Sequence, residues 1–153
     1  MIEITILAVV LLAALAVGIF LRRRDGKVRA ADAFATSRRD AENRSVRADL
    51  LAAVGVTGTG PAVLHFSADW CGPCVAVRRV VADVTGQLAE SAQPPLDIEI
   101  DIDADPVLAK ELNVLSLPTT FVFDSEGRER FRISGVPKVT DLRSALEPLT
   151  IAA

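Results

Sequence analysis

The chain has 153 residues, a formal net charge of −3 and a hydrophobic content of 50%, with aromatic residues at only 5%. After an apolar amino-terminal run and a basic segment, about a hundred residues remain, enough for one domain with one core and too few for a second domain. From Ser45 onward nine basic residues stand against fifteen acidic ones, a net charge of −6. We therefore expect no nucleic-acid binding by this part of the chain.

Residues 2–21 are the first predicted element, an apolar run in which Glu3 is the only charged side chain. As a helix, about 20 residues span roughly 30 Å, the thickness of the hydrocarbon layer of a bilayer. A cleavable signal peptide is the competing interpretation, with Ala14-Leu15-Ala16 or Ala31-Asp32-Ala33 as the cleavage site. Signal peptides carry their positive charge before the apolar run, whereas here the basic residues follow it. The pattern favours an uncleaved transmembrane helix in contact with membrane lipid.

The basic residues that follow this run predict its orientation. Lys and Arg next to a membrane span stay in the cytoplasm, and acidic residues count for little. The basic residues on the carboxyl side of the run are Arg22, Arg23, Arg24, Lys27 and Arg29. We expect a single-pass protein of the cell membrane whose remaining domain faces the cytoplasm. An extracytoplasmic domain is the alternative.

Residues 22–44 contain eight Lys or Arg and four Asp or Glu, with little apolar periodicity. This composition predicts a solvated basic linker next to the membrane. A lipid-binding site is the alternative, because an anionic leaflet attracts each basic residue by up to about 1 kcal/mol. The globular domain is predicted at residues 45–153. Within it, residues 46–54 are typical of a first helix, but no convincing strand precedes them, so we expect a trimmed or irregular amino-terminal edge.

A short apolar run at residues 61–67 predicts a buried strand that leads to the only two cysteines of the chain, Cys71 and Cys74. After Pro73, apolar residues recur at helical spacing as far as Leu88. Cys71 is therefore expected where a strand ends and a helix begins. The first turn of a helix has unpaired N–H groups and a partial positive charge, and both favour a thiolate over a thiol. A lowered pKa is what a nucleophilic cysteine requires.

The arrangement of the two cysteines indicates redox chemistry. Two cysteines three residues apart at such a turn can close a small disulfide, with Cys71 exposed at the helix tip and Cys74 one turn deeper. Gly72 lets a substrate approach closely, and Pro73 costs no helical hydrogen bond in the first turn. Two purely structural cysteines, the alternative, need no Gly-Pro between them. Structural zinc requires four ligands, more than two cysteines and the single His65 supply, so we expect no metal and no bound cofactor.

Downstream of the cysteines, residues 96–102 alternate apolar and acidic side chains, which describes a strand. A short helix is predicted after it. Asp103 and Asp105 provide its cap, and Pro106 suits its first turn, since proline there removes no helical hydrogen bond. The apolar pattern ends this helix at Leu112.

The last third of the chain predicts a hairpin and a final helix. Residues 119–123 and 128–134 are two strand-like runs joined by an Asp-Ser-Glu-Gly turn. Thr140 or Asp141 can start the final helix. The residues expected to face the sheet from this helix are Leu142, Ala145, Leu146 and Leu149.

Residues 70–74 read Trp-Cys-Gly-Pro-Cys, which matches the active-site motif of the thioredoxin family in full. Leu117-Pro118-Thr119 resembles the family's cis-proline loop, and an X-Pro bond is the only kind that adopts cis at low cost. Gly135, followed by Val136, resembles the glycine that closes the family's substrate groove. The resemblance covers residues 62–149. It implies an α/β fold with a central mixed sheet flanked by helices, here preceded by one transmembrane helix.

The resemblance also implies roles for individual residues. A Cys71 thiolate attacks a substrate disulfide, and Cys74 then displaces the reduced product, which leaves the two cysteines bridged. The residues that would line the groove are Trp70, Gly72, Pro73, Leu117, Pro118, Gly135 and Val136. Reduction is favoured over oxidation because thioredoxins lie near about −270 mV.

The implied partners are disulfide-containing proteins as substrates and an electron donor. For a cytoplasmic domain that donor is a thioredoxin reductase, and for an external domain it is a membrane electron carrier. Two other functions stay open. One is an extracytoplasmic thiol-disulfide partner in disulfide or cytochrome biogenesis, which differs in topology alone. The other is a non-catalytic thioredoxin-fold adaptor at the membrane, against which the intact Cys71 and Cys74 argue.

Two positions differ from the family's usual pattern of charges. Thioredoxins usually carry a buried Asp six residues before the first cysteine, where this chain has His65. They usually carry a Lys near that Asp on the following strand, where counting back from Asp105-Pro106 gives Glu99. The resemblance makes His65 and Glu99 the candidates for proton transfer. The buried acid is thought to help the deeper cysteine lose its proton. A neutral imidazole can fill that role, since an unperturbed His titrates near pH 6.5. The alternative is a core histidine that is hydrogen-bonded to a neighbour and takes no part in turnover.

Overall fold

The computed structural model describes residues 38–151 together with Val28–Ala30 and the single positions 6, 11, 12 and 15. In chain order its elements are β1 (Val28–Ala30), α1 (Arg38–Ala53), β2 (Ala62–Ser67), α2 (Cys74–Gln87), β3 (Leu96–Asp101), α3 (Pro106–Glu111), β4 (Thr119–Phe123), β5 (Glu129–Ser134) and α4 (Val139–Leu146), which continues into a 3₁₀ turn at Glu147–Leu149. The strands and helices predicted after residue 60 are all present, with ends that differ by one or two residues.

The strands form one mixed sheet in the order β1-β5-β4-β2-β3. The pairing of β2 with β3 is parallel, whereas β4 pairs with β2 and β5, and β1 with β5, in antiparallel fashion. Every residue of β2 and β4 is buried, because helices cover both faces of these central strands. The predicted α/β fold, a mixed sheet flanked by helices, is confirmed.

The amino-terminal edge differs from the prediction. The three-residue strand β1 pairs with β5, and α1 begins at Arg38 rather than near Val46, so both elements lie partly or wholly inside the segment 22–44 that was predicted to be a linker. The sequence of helix α1 is polar over most of its length, and its last turns contribute core residues such as Leu51. A helix without an apolar stripe gives little periodic signal, which is why its start escaped the sequence pattern.

The predicted transmembrane anchor at residues 2–21 lies outside the described residues, apart from the four single positions named above. Within the described part of the chain, no helix combines the length and the apolar character needed to cross a membrane.

Two hydrophobic cores lie on opposite faces of the sheet. On one face, α1 and α3 cover apolar side chains that alternate along β2 and β4, including Leu64, Phe66, Phe121 and Phe123. On the other face, α2 and α4 cover the intervening residues; this core comprises Val63, Val77, Val81, Val84, Leu88, Val122, Ile133, Leu142 and Leu146. Because side chains alternate along a strand, His65 and Ser67 share the α2 face with Val63. This alternation places polar side chains of β2 beneath the helix that begins at Cys74.

The turn between β4 and β5 is organised by Asp124, a buried carboxylate. Its Oδ1 accepts hydrogen bonds from the backbone N–H groups of Glu126 (2.9 Å) and Arg128 (3.0 Å). Its Oδ2 accepts from Arg128 Nε at 3.0 Å and from Arg130 Nη1 at 3.3 Å. Burial by itself would raise the pKa of Asp124, but the hydrogen bonds from Arg128, Glu126 and Arg130 outweigh it, so the pKa lies below its usual value.

We expect the Asp124→Asn variant to unfold more easily than the wild type at neutral pH, by about 1–3 kcal/mol, because it loses charge-assisted hydrogen bonds in a buried turn. Since folding lowers the pKa of Asp124, its stabilisation is fully present above about pH 4 and is lost as the pH falls through the folded-state value. The difference between variant and wild type should therefore shrink below pH 4. Urea unfolding at several pH values measures it, with the exposed Asp83→Asn as a control that should not change stability at any pH.

Candidate active site

Cys71 and Cys74 form a disulfide at the start of α2, with their Cα atoms 5.5 Å apart. Together with Ala68 they make a small apolar cluster against which Ile102 and Leu117 pack. Cys71 is 6% exposed and Cys74 is 1% exposed. Cys74 is the deeper of the two residues, as predicted. The prediction that Cys71 is exposed at the helix tip is wrong, because its side chain is buried in the cluster with Ala68 and Leu117.

The backbone around the pair is the predicted strand-to-helix turn. After β2 ends, Cys71 N–H donates to the carbonyl of Ala68 at 3.0 Å, and Cys74 N–H donates to the carbonyl of Cys71 at 3.2 Å. Pro73 occupies the position before the helix and makes no side-chain cap. Its carbonyl accepts from Ala76 N–H at 3.1 Å. The pair therefore lies at the amino-terminal end of a helix, where the partial positive charge of the helix favours negative charge on sulfur.

The cis-proline loop and Gly135 meet beside the disulfide. The Leu117–Pro118 peptide bond is cis, as the resemblance implies, and Leu117 packs against the cysteine cluster. Gly135 N–H donates to the carbonyl of Pro118 at 2.9 Å. Gly135 has φ +87°, a left-handed conformation that favours glycine. The structure thus brings together three segments that are distant in sequence, the cysteine motif, the Leu117–Pro118 loop and Gly135. Val136 lies at the rim and is 36% exposed.

Trp70 lies on the surface next to Cys71 and is 69% exposed. Its indole Nε1 donates to Asp103 Oδ2 at 3.0 Å, and Asp103 N–H donates to Asp101 Oδ1 at 2.9 Å. Only Asp105 of the two predicted capping residues caps α3, by accepting from Leu108 N–H at 3.0 Å. Asp103 instead holds the orientation of the exposed ring, a role for which the sequence pattern gives no signal.

The surface around the disulfide is open and partly apolar. A Cβ added to Gly72 would meet nothing within 4 Å, so this position faces open space. Val75 in the first turn of α2 is 44% exposed, and Leu115, three residues before the cis-proline, is 85% exposed. Ile102, which packs against the cysteines, also lines an open cavity of about 340 Å³ beside α3. An apolar surface therefore extends from the disulfide towards α3.

His65 is buried in the middle of β2, with 2% of its surface exposed. Its register partners are Glu99 on β3 and Thr120 on β4. His65 and Glu99 are therefore neighbours, as predicted, but each forms its hydrogen bond with another residue. His65 Nε2 lies 3.2 Å from Asp97 Oδ1, while Glu99 accepts from Arg78 Nε at 2.6 Å.

The carboxyl group of Glu99 has a lowered pKa. Burial alone would raise this pKa, but hydrogen bonds from Ser67 and Arg78 and electrostatic attraction from His65 and Arg78 outweigh that effect. The Glu99 carboxylate is therefore stabilised in its charged form and makes an ion pair with Arg78 of α2. Its role in proton transfer stays a prediction.

Two further observations concern the polar side chains of the described residues. Thr120 Oγ1 is buried and has no hydrogen-bond partner among the described residues, directly across the β2–β4 register from His65. Within the same part of the chain, no group of three or more His, Cys, Asp or Glu side chains could hold a metal ion.

A cysteine pair that closes a disulfide where a strand leads into a helix, beside a cis-proline, defines a thiol-disulfide oxidoreductase. A model of the thioredoxin family matches residues 52–148 of this chain, and the chain belongs to the thioredoxin family. A thioredoxin from Aspergillus fumigatus is 38% identical over 73 residues, which cover 48% of this chain and 63% of that protein. An M-type chloroplastic thioredoxin from Chlamydomonas reinhardtii is 31% identical over 100 residues, which cover 65% of this chain and 69% of that protein.

The fold comparison agrees with the sequence comparison. The X-ray structure of Fasciola hepatica thioredoxin superposes with a TM-score of 0.54 at 26% identity, over 67% of this chain and 92% of that one. The chain is thus a thioredoxin-like oxidoreductase with the Cys71–Cys74 pair at its active site. It spans less than two thirds of the length of the Aspergillus relative.

Proposed function

We propose that this protein reduces disulfide bonds of protein substrates through Cys71 and Cys74. The observation that carries the proposal is the position of the pair at the start of α2, beside cis-Pro118 and under an open rim. Cys71 is the more exposed of the two sulfur-bearing residues, so it is the one that a substrate disulfide can reach. The apolar surface formed by Trp70, Val75 and Leu115 suits a protein substrate better than a small polar thiol.

The reaction begins with the reduced dithiol. The Cys71 thiolate attacks one sulfur of the substrate disulfide, and the other substrate sulfur leaves as a thiolate that takes up a proton. Cys74 then loses its proton and attacks the Cys71 sulfur, which breaks the mixed disulfide and releases the second substrate thiol. The substrate gains two electrons, and the Cys71–Cys74 disulfide seen in the structure is the oxidised product.

Each turnover needs an external reductant to restore the dithiol. We propose a thioredoxin reductase for a cytoplasmic domain, by family resemblance. Purified full-length protein in detergent should accelerate the reduction of insulin disulfides by dithiothreitol, which serves as donor in the assay. A protein that exchanges thiols with dithiothreitol but never accelerates insulin reduction would favour the non-catalytic adaptor instead.

We further propose that residues 2–21 anchor the protein in the cell membrane and that the catalytic domain faces the cytoplasm. The support is the apolar run itself and the five basic residues at positions 22–29 that follow it, since such residues stay on the cytoplasmic side. In this topology membrane lipid is a partner of the amino-terminal helix alone, and substrates come from the cytoplasm.

For the topology, we expect a membrane-impermeant thiol reagent to leave Cys71 and Cys74 unlabelled in intact cells and to label them after lysis under reducing conditions. Moving the Arg22-Arg23-Arg24 block to the amino side of the apolar run should favour the inverted orientation. Labelling of the unaltered protein in reduced, sealed cells would instead support an extracytoplasmic partner in disulfide or cytochrome biogenesis.

A further inference from the structure

We propose that Asp97 is a positioning residue that orients His65 as the proton acceptor for Cys74 and links this buried imidazole to solvent. The inference rests on the proposed disulfide-reducing function. It names the part of the site that serves the second step, in which Cys74 releases the substrate.

The contact between the two side chains fixes the tautomer of the ring. His65 Nε2 lies 3.2 Å from Asp97 Oδ1, within hydrogen-bond range. A carboxylate has no proton to donate, so Nε2 carries the hydrogen and Nδ1 is left as the nitrogen that can accept one. In this tautomer the imidazole can act as a base.

The two side chains of the pair differ in their exposure to solvent. The side chain of His65 is 2% exposed, whereas that of Asp97 is 34% exposed. A proton taken up by His65 has no direct access to bulk water, but Asp97 lies at the solvent-facing edge strand and is hydrogen-bonded to the ring. Asp97 therefore provides the connection between a buried base and the solvent.

Cys74 begins the helix that covers this polar pair. Its Sγ lies 3.9 Å from the carbonyl oxygen of Phe66, the residue after His65. Four residues along α2, on the same side of the helix as Cys74, Arg78 reaches Glu99, which is the β3 register partner of His65. His65 thus lies beneath the first turns of α2, in the layer between the sheet and the helix that carries Cys74.

Of the two carboxylates of β3 next to His65, Asp97 is the one that is hydrogen-bonded to the ring. On β3, Asp97 contacts the ring and Glu99 is the register partner of His65. Glu99 is engaged by Arg78 at 2.6 Å. From β4 the ring is faced by Thr120, which does not titrate and whose hydroxyl has no partner among the described residues.

In the proposed step, the Cys74 S–H proton passes to His65 Nδ1 as the Cys74 sulfur attacks Cys71. The Cys71–substrate S–S bond breaks, the Cys71–Cys74 bond forms, and the substrate sulfur leaves with the electron pair. The positive imidazolium is stabilised by the Asp97 carboxylate. The imidazolium then returns its proton to solvent or to the departing thiolate.

The test uses reduced full-length protein and excess chromogenic aromatic disulfide in a stopped-flow instrument. The first released thiolate reports capture by Cys71, and the second reports resolution by Cys74. For Asp97→Asn we expect capture to be unchanged and resolution to slow by about tenfold, as a charged hydrogen-bond partner is lost. The inflection of the resolution rate should move to lower pH, because the imidazolium loses its hydrogen-bonded carboxylate and keeps only Glu99 as a nearby negative charge. Asp97→Glu should recover most of the rate.

The matched control is Asp83→Asn, which removes the same charge from the exposed side of α2 and should change neither phase. If Asp97→Asn resolves at the wild-type rate with an unmoved inflection, or slows capture and resolution equally, the positioning role is wrong. If wild-type protein captures and resolves the small disulfide normally but does not accelerate insulin reduction, the proposed function fails while the role of Asp97 stands.

Discussion

Replacing Cys71 with Ser is expected to abolish insulin reduction, whereas Cys74→Ser is expected to trap covalent complexes with substrates. A serine hydroxyl at position 71 is not ionised near neutral pH and cannot form a mixed disulfide, so the first step is lost. With Ser at position 74 the first step proceeds and the second does not. Turnover measures the first effect, and the second appears as protein adducts that dithiothreitol releases.

The double variant is the control for this pair, because it should give neither turnover nor adducts while it retains the fold. The two cysteines belong to a small apolar cluster, and serine is of similar size, so thermal unfolding of the reduced proteins should show that all three variants fold. Full activity of Cys71→Ser would show the assigned mechanism to be wrong. Adducts formed by Cys71→Ser but not by Cys74→Ser would exchange the roles of the two residues.

The cysteine motif and its surroundings were predictable because local sequence determines them. A buried strand followed by a proline in the first turn of a helix specifies the strand-to-helix turn, and Asp105 before Pro106 specifies the start of α3. The loop around Pro118 followed from the family pattern. These features depend on residues that are neighbours in the chain, so a single sequence contains most of the information.

The side-chain partners were not predictable in the same way. Counting along the sequence correctly predicted that Glu99 is the register partner of His65 on β3. The Glu99 carboxylate, however, binds Arg78 of α2, and His65 is hydrogen-bonded to Asp97. The partner of Trp70 was missed for the same reason, because Asp103 belongs to the loop that follows another strand. Such choices depend on where a helix lies over the sheet, and no periodicity in the sequence encodes that position.

The observed contacts of Glu99 and His65 affect which of the two residues is expected to accept a proton. Glu99 has a lowered pKa: burial works against its charge, but the hydrogen bonds and electrostatic attraction of its neighbours outweigh this. It is held as an anion and is a poor base near neutral pH. His65, on the sheet face that α2 covers, carries the imidazole of this layer, and imidazole is the side-chain group that most often serves as a general base.

Replacing His65 with Gln is expected to slow the resolving step by about a hundredfold, the lower end of the contribution of a general base. Glutamine can still donate a hydrogen bond to Asp97 and nearly fills the same volume, but it does not accept a proton between pH 5 and 8. The wild-type resolution rate should rise with pH through one inflection as the proposed base loses its proton. This inflection should be absent from the variant.

The stopped-flow assay with the chromogenic disulfide measures both phases, and circular dichroism with thermal unfolding checks that the variant is folded. Capture by Cys71 should be the same in both proteins, since the proposed base acts only after the mixed disulfide has formed. A folded His65→Gln protein with the wild-type rate and pH profile would show that His65 only packs in the core. Equal slowing of both phases would point to a disturbed active-site turn, because a base specific to Cys74 changes only the second.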